Sequence, residues 1–192
     1  MTKPKILAFA GSTRSDSFNK KLVKIAVNGA IDAGVEVTFI DLRDFPMPLY
    51  DGDLEQQEGL PASARKLKDL MLAHQGFLIS SPEYNSSISG VLKNTIDWTS
   101  RQTEGESPLA CYKGKIAGIM SASLGGFGGL RGLVTVRSIL ENIGVLVIPD
   151  QVAIAKAHEA FNSDGTLKNK TQEDQVKNIG VTVAKLLMKL NS

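Results

Sequence analysis

The sequence has few of the residues that disulfides and metal sites need. Its 192 residues include one cysteine, Cys111, and two histidines, His74 and His158. No internal disulfide can form, and a cysteine-rich metal cluster is excluded. The histidines stand far apart and have no partner at ligand spacing, so we predict no metal site. A single unpaired cysteine fits a reducing compartment, and we expect a cytoplasmic protein.

The sequence also lacks long apolar runs and any excess of one charge. The longest apolar run, residues 143–148, is far shorter than the roughly 20 residues that cross a bilayer. Lys and Arg number 22 against 20 Asp and Glu, without a run of like charges. We therefore expect neither a membrane nor a nucleic acid as partner. The length and the 42% of hydrophobic residues suit one globular domain over residues 1–192.

Short apolar runs alternate with amphipathic stretches of helical period along the chain. The runs that predict strands are residues 6–10, 35–40, 77–80, 116–120 and 145–154. The stretches that predict helices are residues 22–33, 62–74, 91–99, 130–143 and 176–190. Right-handed crossovers between such strands place helices on both faces of a parallel sheet, so the pattern predicts a doubly wound α/β fold. The polar residues 41–59 and 158–170 are expected to be long loops.

The loop after the first strand has a composition that suits phosphate. Residues 11–19 are rich in small and hydroxyl side chains, contain Arg14 and open directly into a helix. A helix N-terminus offers unpaired backbone N–H groups, and a guanidinium forms forked bonds to phosphate oxygens. The alternative is that Ser17 only caps the helix. The loop lacks the glycine pattern of dinucleotide-binding folds and the lysine of P-loops.

Two further loops should lie at the same sheet edge, where ligands of parallel sheets bind. After the third strand, Tyr84 could lie against a flat heteroaromatic ring while Asn85 bonds to its polar edge. The alternatives are that Asn85 or Ser86 caps the next helix. Residues 121–129 follow the fourth strand and contain four glycines, which permit close backbone approach or merely mobility. For Lys93, Asn94 and Trp98 in the following helix we favour a structural role.

These loops carry a family resemblance over most of the chain. The patterns are Gly11-Ser12-x-Arg14-x-x-Ser17-x-Asn19 and Pro82-Glu83-Tyr84-Asn85-x-Ser87-x-x-Gly90-x-Leu92-Lys93-Asn94-x-x-Asp97-Trp98. They resemble the NADPH-dependent FMN reductase family, which is similar to bacterial quinone, azo-dye and chromate reductases. The resemblance implies a flavodoxin-like fold with strand order 2-1-3-4-5, an FMN cofactor, and NADPH or NADH as co-substrate. It also implies small acceptors, such as quinones, free flavin, azo compounds or metal oxyanions, and a homodimer or homotetramer.

The resemblance also assigns site residues. Those matching the phosphate loop are Ser12, Arg14, Ser17 and Asn19. Those lining the isoalloxazine are Pro82, Glu83, Tyr84 and Asn85, with Ser121 and Gly125 as further contacts. A Gly-Gly pattern of the family has a near equivalent from Gly128 to Arg137, with Val136 in place of Leu. Asp16 should point to solvent, because it would repel a phosphate.

No catalytic side chain is expected, because the flavin itself carries the redox chemistry. Ser12 lacks the context of a nucleophilic serine, and Cys111 follows a polar segment that we expect to be exposed, without an activating partner. A hydrolase is therefore disfavoured. The main alternative is a flavodoxin that carries single electrons between proteins; the net charge of +2 opposes it, since such carriers profit from an acidic face. A flavin-dependent sensor or scaffold is a third alternative, which the sequence does not exclude. The apolar segment around Trp98 and Leu109 suggests a subunit interface.

Overall fold

A five-stranded parallel sheet forms the centre of the computed structural model, which describes residues 3–190. Its strands are β1 Lys5–Ala10, β2 Glu36–Phe39, β3 Gly76–Ser80, β4 Ile116–Ala122 and β5 Leu146–Ile154. They lie in the order β2-β1-β3-β4-β5, and every neighbouring pair is parallel. The predicted fold class and strand order are confirmed. Residues 1, 2, 191 and 192 of the predicted domain lie outside the described residues.

Helices cover both faces of the sheet and enclose two apolar cores. They are α1 Phe18–Asp32, α2 Gly52–Glu58, α3 Ala62–Ala73, α4 Gly90–Thr99, α5 Leu130–Asn142, α6 Ala157–Ala160 and α7 Lys170–Leu190. One core contains α1 and α7, and the other contains α3, α4 and α5. Alternate residues of β1 enter opposite cores: Ile6 and Ala8 enter the first, Leu7 and Phe9 the second. This burial on both faces explains why the strands are apolar throughout. None of these helices is both long and apolar enough to cross a membrane.

The two predicted long loops contain short helices that periodicity missed. Residues 41–59 include a 3₁₀ turn, Leu42–Asp44, as well as α2, and residues 158–170 include the end of α6. No residue of α2 is buried, so its sequence has no apolar stripe to reveal it. Its signal is the N-cap, where the side chain of Asp51 accepts hydrogen bonds from the backbone N–H groups of Asp53 and Leu54.

A bulge interrupts β5 around Pro149. Between two paired positions β4 advances from Ala117 to Ile119, whereas β5 advances from Val147 to Gln151. The guanidinium of Arg137 donates to the carbonyl oxygens of Val147, Ile148 and Pro149 at 3.3, 2.9 and 3.4 Å. Arg137, the last residue of the Gly-Gly pattern, therefore satisfies carbonyl groups along the bulged segment.

Helices α1 and α7 pack closely because each presents a glycine at their crossing. A Cβ atom at Gly180 would lie 1.9 Å from the carbonyl oxygen of Ala26, and one at Gly29 would lie 2.1 Å from that of Lys177. Such distances leave no room for a methyl group on either helix. The contact anchors α1, whose N-terminus begins directly after the first loop.

We expect Gly180→Ala to destabilise the protein, although Gly to Ala in a helix interior ordinarily stabilises by about 1 kcal/mol. The added methyl group collides with backbone, and overpacking of this kind costs about 3 kcal/mol. The thermal midpoint should fall by about 6–12 °C in a calorimetric scan. Gly90→Ala is the matched control, because a Cβ at this helical glycine meets nothing within 4 Å. Equal midpoints for the two variants would contradict the packing described.

Candidate functional site

The loops that follow β1, β3 and β4 surround a cavity of about 410 Å³. This volume lies within the range of small-molecule sites. The predicted site residues that line it are Ser12, Arg14, Ser17, Asn19, Pro82, Glu83, Tyr84, Asn85 and Gly125. The lining residues that the sequence analysis missed are Phe18, Ser86, Ala122, Ser123, Leu124 and Arg131. Most of these residues are adjacent in sequence to predicted ones, which is the signal that could have found them. Arg131 is the exception, since it follows the glycine-rich loop.

The first loop presents backbone donors that the protein itself does not use. Its start is fixed because the Gly11 N–H donates to the Ser80 carbonyl at 2.9 Å and the Ser89 hydroxyl donates to the Gly11 carbonyl at 2.6 Å. No described residue accepts a hydrogen bond from the backbone N–H of Ser17 or Phe18. Ser17 occupies the N-cap position of α1, but its side chain makes no capping bond. The alternative that Ser17 only caps the helix is therefore not supported. These free donors form a cradle for an anion.

Arg14 supplies the positive charge of this cradle. It is exposed, lines the cavity and forms no ion pair within residues 3–190. Asp16 points to solvent as predicted: its side chain is 77% exposed and pairs with Lys21 at 2.6 Å. The hydrogen bond from Lys21 and its charge hold the pKa of Asp16 below its ordinary value. The carboxylate thus stays outside the cradle and the guanidinium is left for a ligand.

Asn19 lines the cavity, but its carboxamide is held by the protein. Its Nδ2 donates to the Ala122 carbonyl at 2.9 Å, and its Oδ1 accepts from the Ala122 N–H at 3.0 Å and from the Ser80 hydroxyl at 2.8 Å. The side chain therefore connects α1 to the ends of β3 and β4. These bonds give Asn19 a positioning role, and its direct contact with a phosphate stays a prediction.

The loop after β3 forms a tight turn with two left-handed residues. Asn85 and Ser86 have φ angles of 52° and 64°, and Tyr84 and Ser87 exchange backbone hydrogen bonds of 2.9 and 3.0 Å across them. Neither residue caps α4, because the cap is Ser89, whose hydroxyl accepts from the Leu92 N–H. Both structural alternatives for Asn85 and Ser86 are therefore wrong. The turn leaves the Tyr84 side chain about half exposed at the cavity.

Glu83 connects this turn to α5. One carboxylate oxygen accepts from Arg131 Nε and Nη2 at 2.9 and 2.7 Å, and the other accepts from the Gly132 N–H at 3.0 Å. Gly129, the N-cap residue of α5, has no side chain, so Glu83 caps this helix from the neighbouring loop. Burial alone raises the carboxyl pKa, but the bonds from Gly132 and Arg131 outweigh it and hold the pKa of Glu83 below its ordinary value. The carboxylate faces α5, which leaves only the rest of Glu83 for the predicted flavin contact.

Ser121, which the sequence analysis gave as a further contact, does not line the cavity, so its contact with a ligand stays a prediction. It is fully buried, and its hydroxyl has no hydrogen-bond partner among the described residues. A Cβ at Gly129, which has a φ of 92°, would lie 1.9 Å from the Ser121 Oγ, so the glycine covers this hydroxyl. The next two residues, Ala122 at the end of β4 and Ser123 in the following loop, line the cavity instead. The N–H groups of Leu124 and Gly125 have no partner in the described chain.

The residues favoured as structural lie outside the cavity. Trp98 is fully buried and donates from Nε1 to the Pro48 carbonyl at 2.8 Å. Asn94 donates to the same carbonyl at 2.8 Å, and Lys93 pairs with Asp97 at 2.8 Å. A buried Trp98 cannot form the subunit surface that the sequence suggested.

Cys111 is buried, although most of the polar segment before it is exposed as expected. The polar segment before it folds back onto α3, where Glu106 pairs with Lys68 at 2.6 Å and with Arg65 at 2.8 Å. Burial raises the pKa of the Cys111 thiol to about 11, which leaves it unreactive. His74 follows α3, its ring is buried between Leu70 and Thr38, and this burial lowers its pKa. Within the described range, no group of three His, Cys, Asp or Glu residues is placed to hold a metal ion.

A doubly wound parallel sheet with an anion cradle, an exposed aromatic and a glycine-rich loop at its carboxyl edge defines a flavodoxin-like mononucleotide-binding protein. The profile of the family described as NADPH-dependent FMN reductase matches residues 4–159, and the chain belongs to this family. It is therefore a flavin-dependent oxidoreductase with FMN as cofactor and NAD(P)H as reductant.

Known proteins resemble the chain over most of its length. It is 32% identical over 197 residues to the probable NADPH:quinone oxidoreductase 2 of Oryza sativa subsp. japonica, covering 98% of this chain and 93% of the relative. It is 38% identical over 151 residues to the quinone reductase of Escherichia coli strain K12, covering 76% and 74%. The solved flavoenzyme NAD(P)H:(acceptor) oxidoreductase FerB from Paracoccus denitrificans superposes with a TM-score of 0.80 at 27% identity, covering 98% of both chains.

We expect Glu83→Ala to lower the free energy of unfolding by about 1–3 kcal/mol. The substitution removes the cap of α5 and leaves the Gly132 N–H without its partner. The thermal midpoint of the flavin-free protein should fall by about 2–12 °C. Glu104→Ala is the control, because Glu104 is an exposed carboxylate with no ion pair in the described chain. A Glu83 variant as stable as this control would show that the loop and α5 hold together without the carboxylate.

Proposed function

We propose that this protein passes reducing equivalents from NAD(P)H through bound FMN to small acceptors, with quinones as the principal class. The observation that carries the proposal is the cavity at the sheet edge, where unpaired backbone donors and Arg14 face the same space as the exposed Tyr84. The names of the rice and Escherichia coli relatives support quinones as acceptors. Free flavin, azo compounds and metal oxyanions are the other acceptors that the family resemblance implies.

The donors around the cavity fit FMN part by part. The first loop offers the phosphate the free N–H groups of Ser17 and Phe18, the hydroxyl groups of Ser12 and Ser17, and the guanidinium of Arg14. Pro82 and Tyr84 offer apolar surface to the ring system, and the unpaired N–H groups of Leu124 and Gly125 offer donors to its polar edge.

The chain contributes binding and orientation rather than acid–base chemistry. Bound FMN supplies the redox chemistry, since it accepts a hydride equivalent and returns electrons to a second substrate. Among residues 3–190, Glu83 is the one carboxylate that lines the cavity, and Arg131 and Gly132 keep it ionised and facing α5. No residue in the lining has a raised carboxyl pKa that would suit a proton donor. The residues of the cavity thus hold the ligand and leave one side open to the substrates.

Mixing the FMN-loaded protein with NADPH in a stopped-flow instrument tests the proposal directly. We expect the flavin absorbance to bleach before any acceptor is added and to return when a quinone follows, with ping-pong kinetics in the steady state. The same experiment with NADH measures the nucleotide preference. Flavin that stays oxidised under NADPH would favour the electron-carrier alternative. Reduction by NADPH without oxidation by any acceptor would favour a sensor.

We expect Arg14→Ala to weaken FMN binding about 10- to 150-fold, because a charge-assisted bond contributes about 1.5–3 kcal/mol. Riboflavin, which has no phosphate, should bind nearly as well as it does to the unchanged protein. Titration of the flavin-free protein by fluorescence measures both affinities. Lys66→Ala controls for loss of one exposed positive charge elsewhere. FMN affinity within threefold of the unchanged protein would show that backbone and hydroxyl donors suffice for the phosphate.

We also propose a cytoplasmic homodimer or homotetramer, with residues 1–192 as one domain. The family resemblance supports the assembly. Further support comes from Phe127, Leu130 and Val134 beside the cavity, which are exposed to 65%, 45% and 64%. Three large apolar side chains in so short a segment are typical of a protein contact.

A further inference from the structure

The first loop is held from outside by Arg43, which lies on the 3₁₀ turn after β2. The Nε of Arg43 donates to the Thr13 carbonyl at 2.9 Å, and its Nη2 donates both to this carbonyl and, at 3.1 Å, to the Ser15 hydroxyl. Two loop residues are therefore bound by one guanidinium from a segment 28 to 30 residues further along the chain.

Arg43 is itself fixed by Asp41. One carboxylate oxygen of Asp41 accepts from the Arg43 N–H at 3.0 Å, and the other pairs with Lys20 Nζ at 2.5 Å. Lys20 belongs to the first turn of α1, and its side chain is only 10% exposed. Asp41 therefore ties the 3₁₀ turn to the start of α1, and Arg43 ties the same turn to the middle of the loop.

A bond to the Thr13 carbonyl also determines the direction of the next N–H. The peptide unit is planar and its carbonyl and N–H point to opposite sides, so fixing the Thr13 oxygen orients the Arg14 N–H. That N–H points back to the Ser12 hydroxyl at 3.3 Å. The contact made by Arg43 thus sets the peptide plane from which the Arg14 side chain departs.

We propose that Arg43 is a positioning residue for the phosphate loop, which it holds in the shape that receives the phosphate of FMN. This inference rests on the proposed role of the first loop. A loop ordered in advance loses less conformational entropy when the ligand binds, which strengthens binding without a direct contact. Arg43 lines a neighbouring groove with Thr13 and is absent from the lining of the cavity, so it acts through the loop.

The planar fork of arginine matters for this role. A guanidinium presents several donors in a fixed geometry and reaches Thr13 and Ser15 together, whereas a lysine ammonium is a flexible point charge. Arg43→Lys therefore keeps the charge near the loop and removes the fork. Arg43→Ala removes both.

The experiment titrates flavin-free Arg43→Lys and Arg43→Ala proteins with FMN and with riboflavin by fluorescence. We expect FMN to bind about 5- to 30-fold more weakly to Arg43→Ala and about 3- to 10-fold more weakly to Arg43→Lys, with riboflavin within twofold. Hydrogen exchange of the Arg14 amide, which bonds to the Ser12 hydroxyl, should be faster in both variants of the flavin-free protein. Lys66→Ala should match the unchanged protein in all three measurements.

The outcomes separate this inference from the proposed function. If the unchanged protein binds riboflavin as tightly as FMN, the phosphate role of the loop fails, and the Arg43 inference with it. If the unchanged protein prefers FMN and Arg14→Ala loses this preference, while both Arg43 variants keep it within twofold, only the Arg43 inference fails. Equal weakening of FMN and riboflavin would overturn it too, since loss of general stability affects both ligands. Arg43→Lys keeps the test decisive where Arg43→Ala fails to fold.

Discussion

One buried carboxamide joins the three loops that surround the cavity. Asn19 stands in the first turn of α1 and bonds to Ser80 at the end of β3 and to Ala122 at the end of β4. Because parallel strands end at the same edge, a single side chain can span these elements and fix the spacing of the loops. The close crossing of α1 and α7 at Gly29 and Gly180 holds the same helix from its other end. The shape of the cavity therefore depends on the position of α1, which these hydrogen bonds and its packing against α7 fix.

The polar side chains around the cavity divide into those that bind one another and those left for a ligand. Glu83 and Arg131 hold α5, and Arg43 holds Thr13 and Ser15. What faces the cavity unpaired is a set of backbone N–H groups, hydroxyls and one guanidinium. Such a site suits an anion attached to a flat ring and offers few groups for proton transfer, as expected for a protein whose cofactor carries the chemistry.

The sequence predicted the sheet and the location of the site better than the role of each side chain. Strands buried on both faces are apolar throughout, and ligands bind at the carboxyl ends of such strands, so both follow from pattern. The direction in which each side chain points does not follow from the sequence pattern. Ser121 and Ala122 are neighbours, yet only Ala122 lines the cavity. Contacts between residues that are distant in sequence could not be predicted either, and nothing in the sequence around Arg43 indicated its contact with Thr13. The burial of Cys111 was not predicted either: ion pairs of Glu106 with Arg65 and Lys68, which are distant in sequence, hold the segment before it against α3.

The bulge in β5 has a consequence for how copies of this chain can meet. An open sheet ends in two edge strands, and a regular edge is a template on which another chain can add a strand and begin a fibril. On one side the edge is β2, with only four residues, and on the other it is β5, interrupted at Pro149, with Arg137 bonded to carbonyl groups of the bulged segment. A proline has no N–H to donate to an added strand. The edges of the sheet are therefore poor templates for the addition of a strand from another copy of the chain.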